Sequence, residues 1–159
     1  MSSICLSADP LTKTAARSCS PCATWISRSA RVTVPSDLEK AVNEEVLSGE
    51  ITSEEAVKAY EHLKSAIEDI QDKYGWFPEE GAEVRNESEL MDTDGNVYRP
   101  DRVVISGNKV SVIDFKFGDH HNKYERQVKK YADIWRRMGY ADVSAFLWYV
   151  HTGEVRPIL

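Results

Sequence analysis

Cysteine is confined to the first 22 residues of this 159-residue chain, at Cys5, Cys19 and Cys22. Cys19 and Cys22 form the pair CSPC, but a structural zinc site needs a second pair of ligands, which no later cysteine supplies. The rest of the chain therefore has no disulfide to stabilise its core. This cysteine usage is typical of a reducing compartment, and we expect the protein to be cytoplasmic.

Long apolar runs are also absent from the sequence. No stretch approaches the roughly 18 residues that are needed to span a bilayer, so we predict no membrane segment. An excess of basic residues is missing too, because the formal net charge is −6. This charge argues against a protein that coats nucleic acid through bulk electrostatics, although it does not exclude a local basic groove.

Acidic residues are scarce in residues 1–35, where Asp9 is the sole acid. The segment has no hydrophobic period and no apolar stretch of the length that a secretory signal needs. We expect a poorly ordered N-terminal arm or the truncated start of a longer chain. Its Arg- and Ser-rich composition superficially resembles an organelle transit peptide. Residues 36–159 have the length and composition of one globular domain.

Two helices are predicted at the start of this domain. The sequences SDLE at 36–39 and TSEE at 52–55 are capping boxes, each of which marks a helix start. Gly49 and Gly75 supply the C-terminal stops. The second helix carries one continuous apolar stripe, with residues at steps of three and four: Val57, Tyr60, Leu63, Ile67, Ile70 and Tyr74.

Three segments then have the composition of strands: AEVRNESELMD (82–92), VYRPDRVVI (97–105) and KVSVIDFKF (109–117). Turns at Asp94-Gly95 and at Gly107 would join them into an antiparallel meander. A helical period runs from about Asn122 to Gly139, and DVSAFLWYV at 142–150 predicts a last, buried strand. We therefore predict an α/β (α+β) fold, with a central mixed sheet flanked by helices.

Charged residues interrupt the apolar pattern of the second and third predicted strands. Alternation puts Asp114 and Lys116 on one face of the third strand. Asp101 shares a face of the second strand with Val103 and Ile105. Charges on a buried sheet face are costly unless they are paired or bind a metal. Twist and an irregularity at the neighbouring proline would have to bring the two aspartates together.

The first predicted strand offers a third carboxylate, because Glu87 and Glu89 share one of its faces. Convergent carboxylates repel each other unless a divalent cation lies between them, and all-oxygen ligands favour Mg²⁺ or Mn²⁺ over Zn²⁺. A neighbouring lysine can orient or activate a water molecule. The pattern therefore suits metal-assisted phosphodiester hydrolysis. The alternative is an Asp–Lys surface pair at the end of a strand.

Two motifs carry a family resemblance. Pro100-Asp101 and, on the next predicted strand, Asp114-Phe115-Lys116 resemble the PD and DxK motifs of the PD-(D/E)xK nuclease superfamily. By that resemblance Asp101 and Asp114 would be ligands of Mg²⁺ or Mn²⁺, and Phe115 would lend its backbone carbonyl. Lys116 would position the attacking water, and a carboxylate of the first strand would be the auxiliary acid: Glu87, with Glu89 the weaker candidate.

A third motif narrows the resemblance. Gln127 and Tyr131, in YERQVKKYADI, resemble the QxxxY motif of the RecB/AddA branch, in which the nuclease is usually the C-terminal domain of a UvrD/Rep-type helicase. The resemblance covers residues 36–159 and implies a restriction-endonuclease-like core. It also implies single-stranded DNA or DNA ends as substrate and a helicase subunit as partner. Gln127 and Tyr131 would brace the site or touch the DNA, whereas the alternative is an ordinary helix pair with Tyr131 packed inward.

One feature of that family is missing, a histidine upstream of the motifs that also helps to bind metal. Residues 1–35 contain no histidine, and His62 is predicted to lie at the surface. His120 and His121 follow the DxK strand and could reach the metal, but a loop or N-cap position is the better interpretation. Two functions are therefore open. The first is an active metal-dependent DNA nuclease in end processing, recombination or repair, and the second is a catalytically impaired module that binds DNA or a helicase.

Basic residues dominate the helix predicted after the DxK strand, against few acids. In an acidic chain this stripe is where a phosphate backbone would bind, and a solvated helix face is the alternative. Trp135, Trp148 and Tyr149 could stack on bases, but core packing is the better interpretation for at least two of them. The basic residues are Lys123, Arg126, Lys129, Lys130, Arg136 and Arg137.

Overall fold

The computed structural model describes residues 36–49, 51–116, 119–150 and 152–159. The predictions for residues 1–35 and for Phe117 lie outside these ranges. The described elements are α1 (Asp37–Ser48), α2 (Ser53–Tyr74), β1 (Glu83–Asn86), β2 (Leu90–Met91), β3 (Val97–Tyr98), β4 (Arg102–Ser106), β5 (Lys109–Lys116), α3 (Asn122–Arg137), β6 (Asp142–Tyr149) and β7 (Glu154–Pro157).

Five strands form one mixed sheet in the order β1–β4–β5–β6–β7. Strands β1, β4 and β5 are antiparallel neighbours, β5 and β6 run parallel, and β7 pairs antiparallel with β6. Strands β2 and β3 form a separate two-stranded hairpin. A mixed sheet flanked by helices confirms the predicted α/β (α+β) architecture. None of the helices in the described ranges has the length and apolar character that a membrane crossing requires.

The sheet separates two apolar layers. Val104, Ile113 and Trp148 face α1 and α2. Val112 and Ala145, which lie at alternate positions of the same strands and so point to the opposite side, face α3. Because both faces are covered, the apolar runs of β5 and β6 are nearly continuous rather than alternating.

The starts and ends of α1 and α2 show which local signals the backbone follows. At α2 the predicted capping box forms, since the Glu55 amide donates to the Thr52 hydroxyl at 3.2 Å and the Thr52 amide donates to the Glu55 carboxylate at 2.9 Å. The capping box predicted at Ser36 is wrong. Ser36 has helical backbone angles and makes no side-chain cap, because capping needs an extended residue. Gly49 and Gly75 end the helices in the left-handed conformation, as predicted.

The apolar stripe predicted for α2 is confirmed only in its middle. Leu63, Ile67 and Ile70 are buried, whereas Val57 is 64% exposed and Tyr74 is 41% exposed. Val57 lies near the start of α2 and Tyr74 is its last residue, so the exposed positions are at the two ends of the stripe. Tyr74 still stacks on Trp76, with ring centroids 4.6 Å apart.

The first two predicted strands are each interrupted, which corrects the simple meander. Glu87, with φ of +46°, follows the end of β1, and Pro100 lies between β3 and β4. Proline has no backbone N–H to donate to a ladder, so the pairing cannot run through it. The Glu87 amide still donates to the Asp101 carbonyl at 2.9 Å, so the two interruptions face each other. Strand β7 was not predicted.

Two capping substitutions test the difference between the helix starts. Thr52→Ala removes a hydroxyl that accepts from a first-turn amide, so it should lower the free energy of unfolding by about 1 kcal/mol. Ser36→Ala removes a hydroxyl with no capping role and should change it by less than about 0.5 kcal/mol. Urea unfolding of the two variants beside the wild type measures both, and equal losses would contradict the assigned caps.

Candidate active site

The β4–β5 ladder ends where the site begins. Its last register pair is Arg102–Ile113, so the edge of β5 beyond Ile113 is not paired with β4. Asp101, the residue before β4, takes over at that point, because its Oδ2 accepts from the Phe115 amide at 2.7 Å. A carboxylate side chain thus occupies the position of a ladder acceptor.

The backbone N–H and C=O of Phe115 both point to the side of β5 on which Asp101 lies. The N–H and C=O of one strand residue point to the same side, and the Phe115 N–H donates to Asp101. The backbone carbonyl of the next residue, Lys116, points to the opposite side, because it accepts from the Val150 amide next to β6 at 3.2 Å. The Phe115 carbonyl therefore lies on the side that its predicted role as a metal ligand requires.

Asp114 and Lys116 share the α3 face of β5, as predicted, and form an ion pair through Asp114 Oδ2. Asp114 is 2% exposed. Within the described residues, that oxygen accepts no hydrogen bond of good geometry, so the ammonium contact is its main compensation. The ammonium also lies 4.7 Å from the ring centroid of Tyr124, in the first turn of α3. Lys116 is thus held between a carboxylate and an aromatic face.

The two aspartates do not ionise independently. Burial, reinforced by the charge of Asp114, raises the pKa of Asp101 to about 7. Burial also raises the pKa of Asp114, and Lys116 opposes that shift. Because two close like charges are costly in a partly buried site, the pair retains one shared proton as the pH approaches neutrality.

This arrangement fits a hard divalent cation. The candidate ligands are the carboxylates of Asp101 and Asp114 and the carbonyl of Phe115, all of them oxygens, and Mg²⁺ commonly takes one or two carboxylates and keeps several waters. Across the described ranges, no group of three or more His, Cys, Asp or Glu side chains is arranged to hold a metal. The protein's acidic ligands would therefore number two.

Glu87 is near the site through its backbone, but its side chain is engaged elsewhere. Its carboxylate forms an ion pair with Arg99, and the Arg99 Nε donates to the Glu87 carbonyl at 3.0 Å. Glu89 is exposed. The auxiliary-acid role of Glu87 stays a prediction, and it requires the Arg99 pair to open.

Gln127 and Tyr131 lie beside the carboxylates. Tyr131 packs inward, 2% exposed, and Gln127 Nε2 donates to its hydroxyl at 2.5 Å. Burial raises the pKa of Tyr131, and the nearby charges of Asp114 and Asp101 act in the same direction. Tyr131 therefore both packs inward and lies near the two aspartates, which suits a bracing role.

Lys130 is committed to the fold rather than free for a ligand. It forms a 3.2 Å ion pair with Asp92, whose side chain is 1% exposed, and lies 5.6 Å from the Tyr98 ring centroid. Asp92 also accepts from the Tyr98 hydroxyl at 3.0 Å and from the Asn96 amide at 2.9 Å. Burial alone would raise the pKa of Asp92, but hydrogen bonds from Asn96, Lys130 and Tyr98 hold it well below its usual range. The sequence analysis did not predict this cluster of Asn96, Tyr98 and Lys130 around Asp92, which we call the Asp92 clamp.

Of the other basic residues of α3, one is engaged by neighbouring groups and four are exposed. Arg136 pairs with Asp133 at 3.3 Å and donates to the Val143 carbonyl at 3.1 Å. The side chains that remain available to a phosphate backbone are exposed: Lys123, Arg126, Lys129 and Arg137.

The exposed fractions of the side chains decide between the alternatives for the aromatic residues and for His62. Trp135, Trp148 and Tyr149 are 4%, 1% and 3% exposed, so core packing is confirmed and base stacking by them is excluded. His62 is exposed, as expected. His121 is the N-cap residue of α3, and His120 precedes it in the loop, where it contacts β7.

Tyr124 is a site residue that sequence reasoning did not single out. It lies three residues before Gln127 and seven before Tyr131, so helical spacing puts it on their side of α3. That spacing was the signal that could have identified it.

Comparisons with known proteins add no family assignment. No protein-family model matches the chain, and no curated protein matches its sequence. Function is therefore argued from the geometry of this site.

The shared proton predicts a pH-dependent stability. The pKa of Asp101 is about 7 in the folded protein and about 4 in an unfolded chain. The folded state therefore binds more protons in that window, and the free energy of unfolding without metal should fall as the pH rises from about 4 to about 7. Asp101→Asn should remove the part of this slope that Asp101 contributes, whereas Asp114, whose pKa burial also raises, keeps its own part. The variant should melt higher than wild type in chelator, because the asparagine side-chain oxygen still accepts from Phe115 and the side chain carries no charge.

Urea unfolding across this pH range measures the slope. Asp133→Asn is the matched control, because Asp133 is an exposed carboxylate on α3, and it should retain the wild-type slope. An Asp101→Asn variant that keeps the slope, or that melts lower in chelator, would contradict the shared proton.

Proposed function

We propose that this protein is a Mg²⁺- or Mn²⁺-dependent nuclease that hydrolyses DNA phosphodiester bonds, of the PD-(D/E)xK type and the RecB/AddA branch. The observation that carries the proposal is the buried pair Asp101 and Asp114, with Lys116 fixed beside it. In a simple surface pair of Asp114 and Lys116, no second aspartate would lie close by. Here Asp101 is near enough that the charge of Asp114 adds to burial in raising its pKa. A cytoplasmic location and a helicase partner belong to the same proposal.

The reaction is the addition of water across a phosphodiester. Magnesium bound by the two aspartates would polarise the phosphate and lower the pKa of a bound water. The water oxygen bonds to phosphorus as the bond to one ester oxygen breaks. The phosphate retains the hydroxyl as a phosphomonoester, and the leaving oxygen takes the other proton as an alcohol.

The position of Lys116 supports this proposal. Its ammonium lies against Asp114 and over Tyr124, so it has few alternative directions. A cation there can orient the attacking water and offset the charge that builds on the phosphate. Gln127 and Tyr131 support the same corner from α3.

DNA is the substrate that the outer face of α3 suits. Lys123, Arg126, Lys129 and Arg137 are exposed on the helix whose first turn contacts Lys116. Phosphate contacts of this kind supply affinity and register without reading sequence. We therefore propose single-stranded DNA or DNA ends as the substrate.

A second candidate function is a catalytically impaired module that binds DNA or a helicase. One observation favours it: the Glu87 carboxylate is held by Arg99. Such a module would keep the basic face of α3 without hydrolysing DNA.

Single substitutions at the site test the nuclease. Asp114→Ala and Lys116→Ala should each reduce magnesium-dependent cleavage of single-stranded DNA by at least about a hundredfold, because each removes a group that acts on the transition state. Lys58→Ala, on the exposed side of α2, should cleave like wild type. Circular dichroism checks that all three variants remain folded.

The outcomes separate the two candidates. Cleavage by wild type that chelator abolishes and both site variants lose supports the nuclease. Wild type that binds DNA but does not cleave it with magnesium or manganese supports the module. Cleavage that survives in Asp114→Ala would rule out this site.

Two neighbouring lysines give opposite predictions for binding and stability. Lys129→Gln should weaken single-stranded DNA binding and reduce the salt slope by about 1, with an unchanged melting temperature. Lys130→Gln should lower the melting temperature, because it leaves the buried Asp92 without its cation. Fluorescence anisotropy at several salt concentrations, with thermal melts, distinguishes them. Identical behaviour of the two variants would contradict the assigned roles.

A further inference from the structure

A second polar cluster lies on the α3 face of the sheet, beside the carboxylates. In register, Asp114 is opposite Leu147, and Leu147 is opposite Arg156. Lys116 is likewise opposite Tyr149. Because neighbouring strands are about 4.8 Å apart, the backbone of Arg156 lies about 10 Å from that of Asp114. The cluster is close enough to hold another part of the same ligand.

The cluster is built around Arg156. Its Nη1 lies 3.1 Å from His120 Nδ1, and its Nη2 lies 3.4 Å from Glu125 Oε1. A guanidinium can only donate, so His120 Nδ1 accepts, and His120 Nε2 carries the proton toward Glu154 at 3.3 Å. The His120 ring also packs on the Tyr149 ring, with centroids 4.2 Å apart.

Tyr149 supplies an independent sign that a ligand is expected here. It is 3% exposed, and within the described ranges its buried hydroxyl makes no hydrogen bond of good geometry, although Arg156 lies beside it. Burial raises the pKa of Tyr149, so its hydroxyl stays protonated and can donate. Arg156 can only donate to that hydroxyl, so among the described residues the hydroxyl's own hydrogen has no acceptor. A buried donor without an acceptor is costly, and an anion held by Arg156 would accept from it.

The present partners of Arg156 and His120 are replaceable. Their ion pairs with Glu125 and Glu154 are between about a third and a half exposed, and pairs of that kind contribute little to stability. Both glutamates can turn into solvent when a stronger anion arrives. The anion must therefore offer more charge than one carboxylate.

We propose that Arg156, His120 and Tyr149 bind the terminal phosphate of a nucleic-acid strand beside the two aspartates. A terminal phosphate carries about −1.5 to −2 charge near neutral pH and three acceptor oxygens, whereas an internal phosphodiester carries a single charge. The site thus selects strand ends and places a nearby phosphodiester toward Asp101 and Asp114. The choice of nucleic acid rests on the proposed function; the choice of a terminal phosphate rests on this cluster.

Binding in chelator tests the proposal without any need for catalysis. Three single-stranded oligonucleotides of one sequence are compared by fluorescence anisotropy: a 5′-phosphate, a 3′-phosphate and hydroxyls at both ends. One phosphorylated form should bind about tenfold more tightly than the hydroxyl form, since the site adds charge-assisted hydrogen bonds. The form that gains identifies the strand end.

Variants connect the preference to the cluster. Arg156→Gln and Tyr149→Phe should each abolish most of the preference. Lys58→Gln removes the same charge as Arg156→Gln from the exposed side of α2, and it should keep the preference. Tyr149→Phe removes one hydroxyl alone, so it decides the matter if Arg156→Gln fails to fold.

Equal affinity of wild type for all three oligonucleotides would overturn the proposal, as would a full preference in Tyr149→Phe. Failure of the nuclease is distinguishable. Asp114→Asn disables the proposed hydrolysis but leaves Arg156, His120 and Tyr149 in place, so it should keep the preference for a phosphorylated end. A preference that persists in a wild type without cleavage activity supports this cluster and rejects the nuclease.

Discussion

The hydrogen bond from the Phe115 amide to the Asp101 carboxylate is the contact on which the site depends. Strand β4 starts one residue after Asp101, so β5 extends beyond its partner and exposes an unpaired edge. Asp101 supplies the missing acceptor with its side chain, and this draws a carboxylate into the end of a buried sheet. Asp114 occupies the adjacent buried position, and the proximity of the two acids follows.

Helix α3 makes that arrangement specific. Its first turn puts Tyr124 against Lys116, and its next two turns bring Gln127 and Tyr131 to the same corner. The ion pair between Lys130 and Asp92 ties the helix to the β2–β3 hairpin. Polar groups in a buried site are costly when they are incompletely satisfied, and both aspartates have a compensating contact: the Phe115 amide for Asp101 and the Lys116 ammonium for Asp114. A cation between the aspartates would remove the largest remaining cost, their mutual repulsion.

Much of the fold could be predicted from local signals. The stops at Gly49 and Gly75, the cap at Thr52 and the shared face of Asp114 and Lys116 depend on neighbours in sequence, and all are confirmed. Strand β7 could not be predicted, because EVRP has no apolar alternation and pairs at the edge of the sheet through β6. The capping box predicted for Ser36 and Glu39 does not form, because capping depends on a backbone angle that the residue types do not fix.

The candidate site divides in the same way. Strand alternation predicts that Asp114 and Lys116 meet, and Pro100 indicates a break near Asp101. The side-chain direction of Glu87 could not be predicted, since it depends on a left-handed backbone angle and on the contact with Arg99 across the break. The clamp around Asp92 and the cluster around Arg156 each join segments that are distant in sequence or lie on different elements. Residue spacing along the chain carries no information about such contacts.

Calorimetric titration of the metal-free protein with Mg²⁺ tests most directly whether the two aspartates form a cation site that holds a shared proton. At about pH 6, roughly one unit below the pKa of Asp101, measurements in buffers of different ionisation enthalpy count the protons that binding releases. We expect one Mg²⁺ to bind with the release of close to one proton, and Asp101→Asn to lose both. Absence of binding, binding without proton release, or unchanged binding by Asp101→Asn would contradict this account.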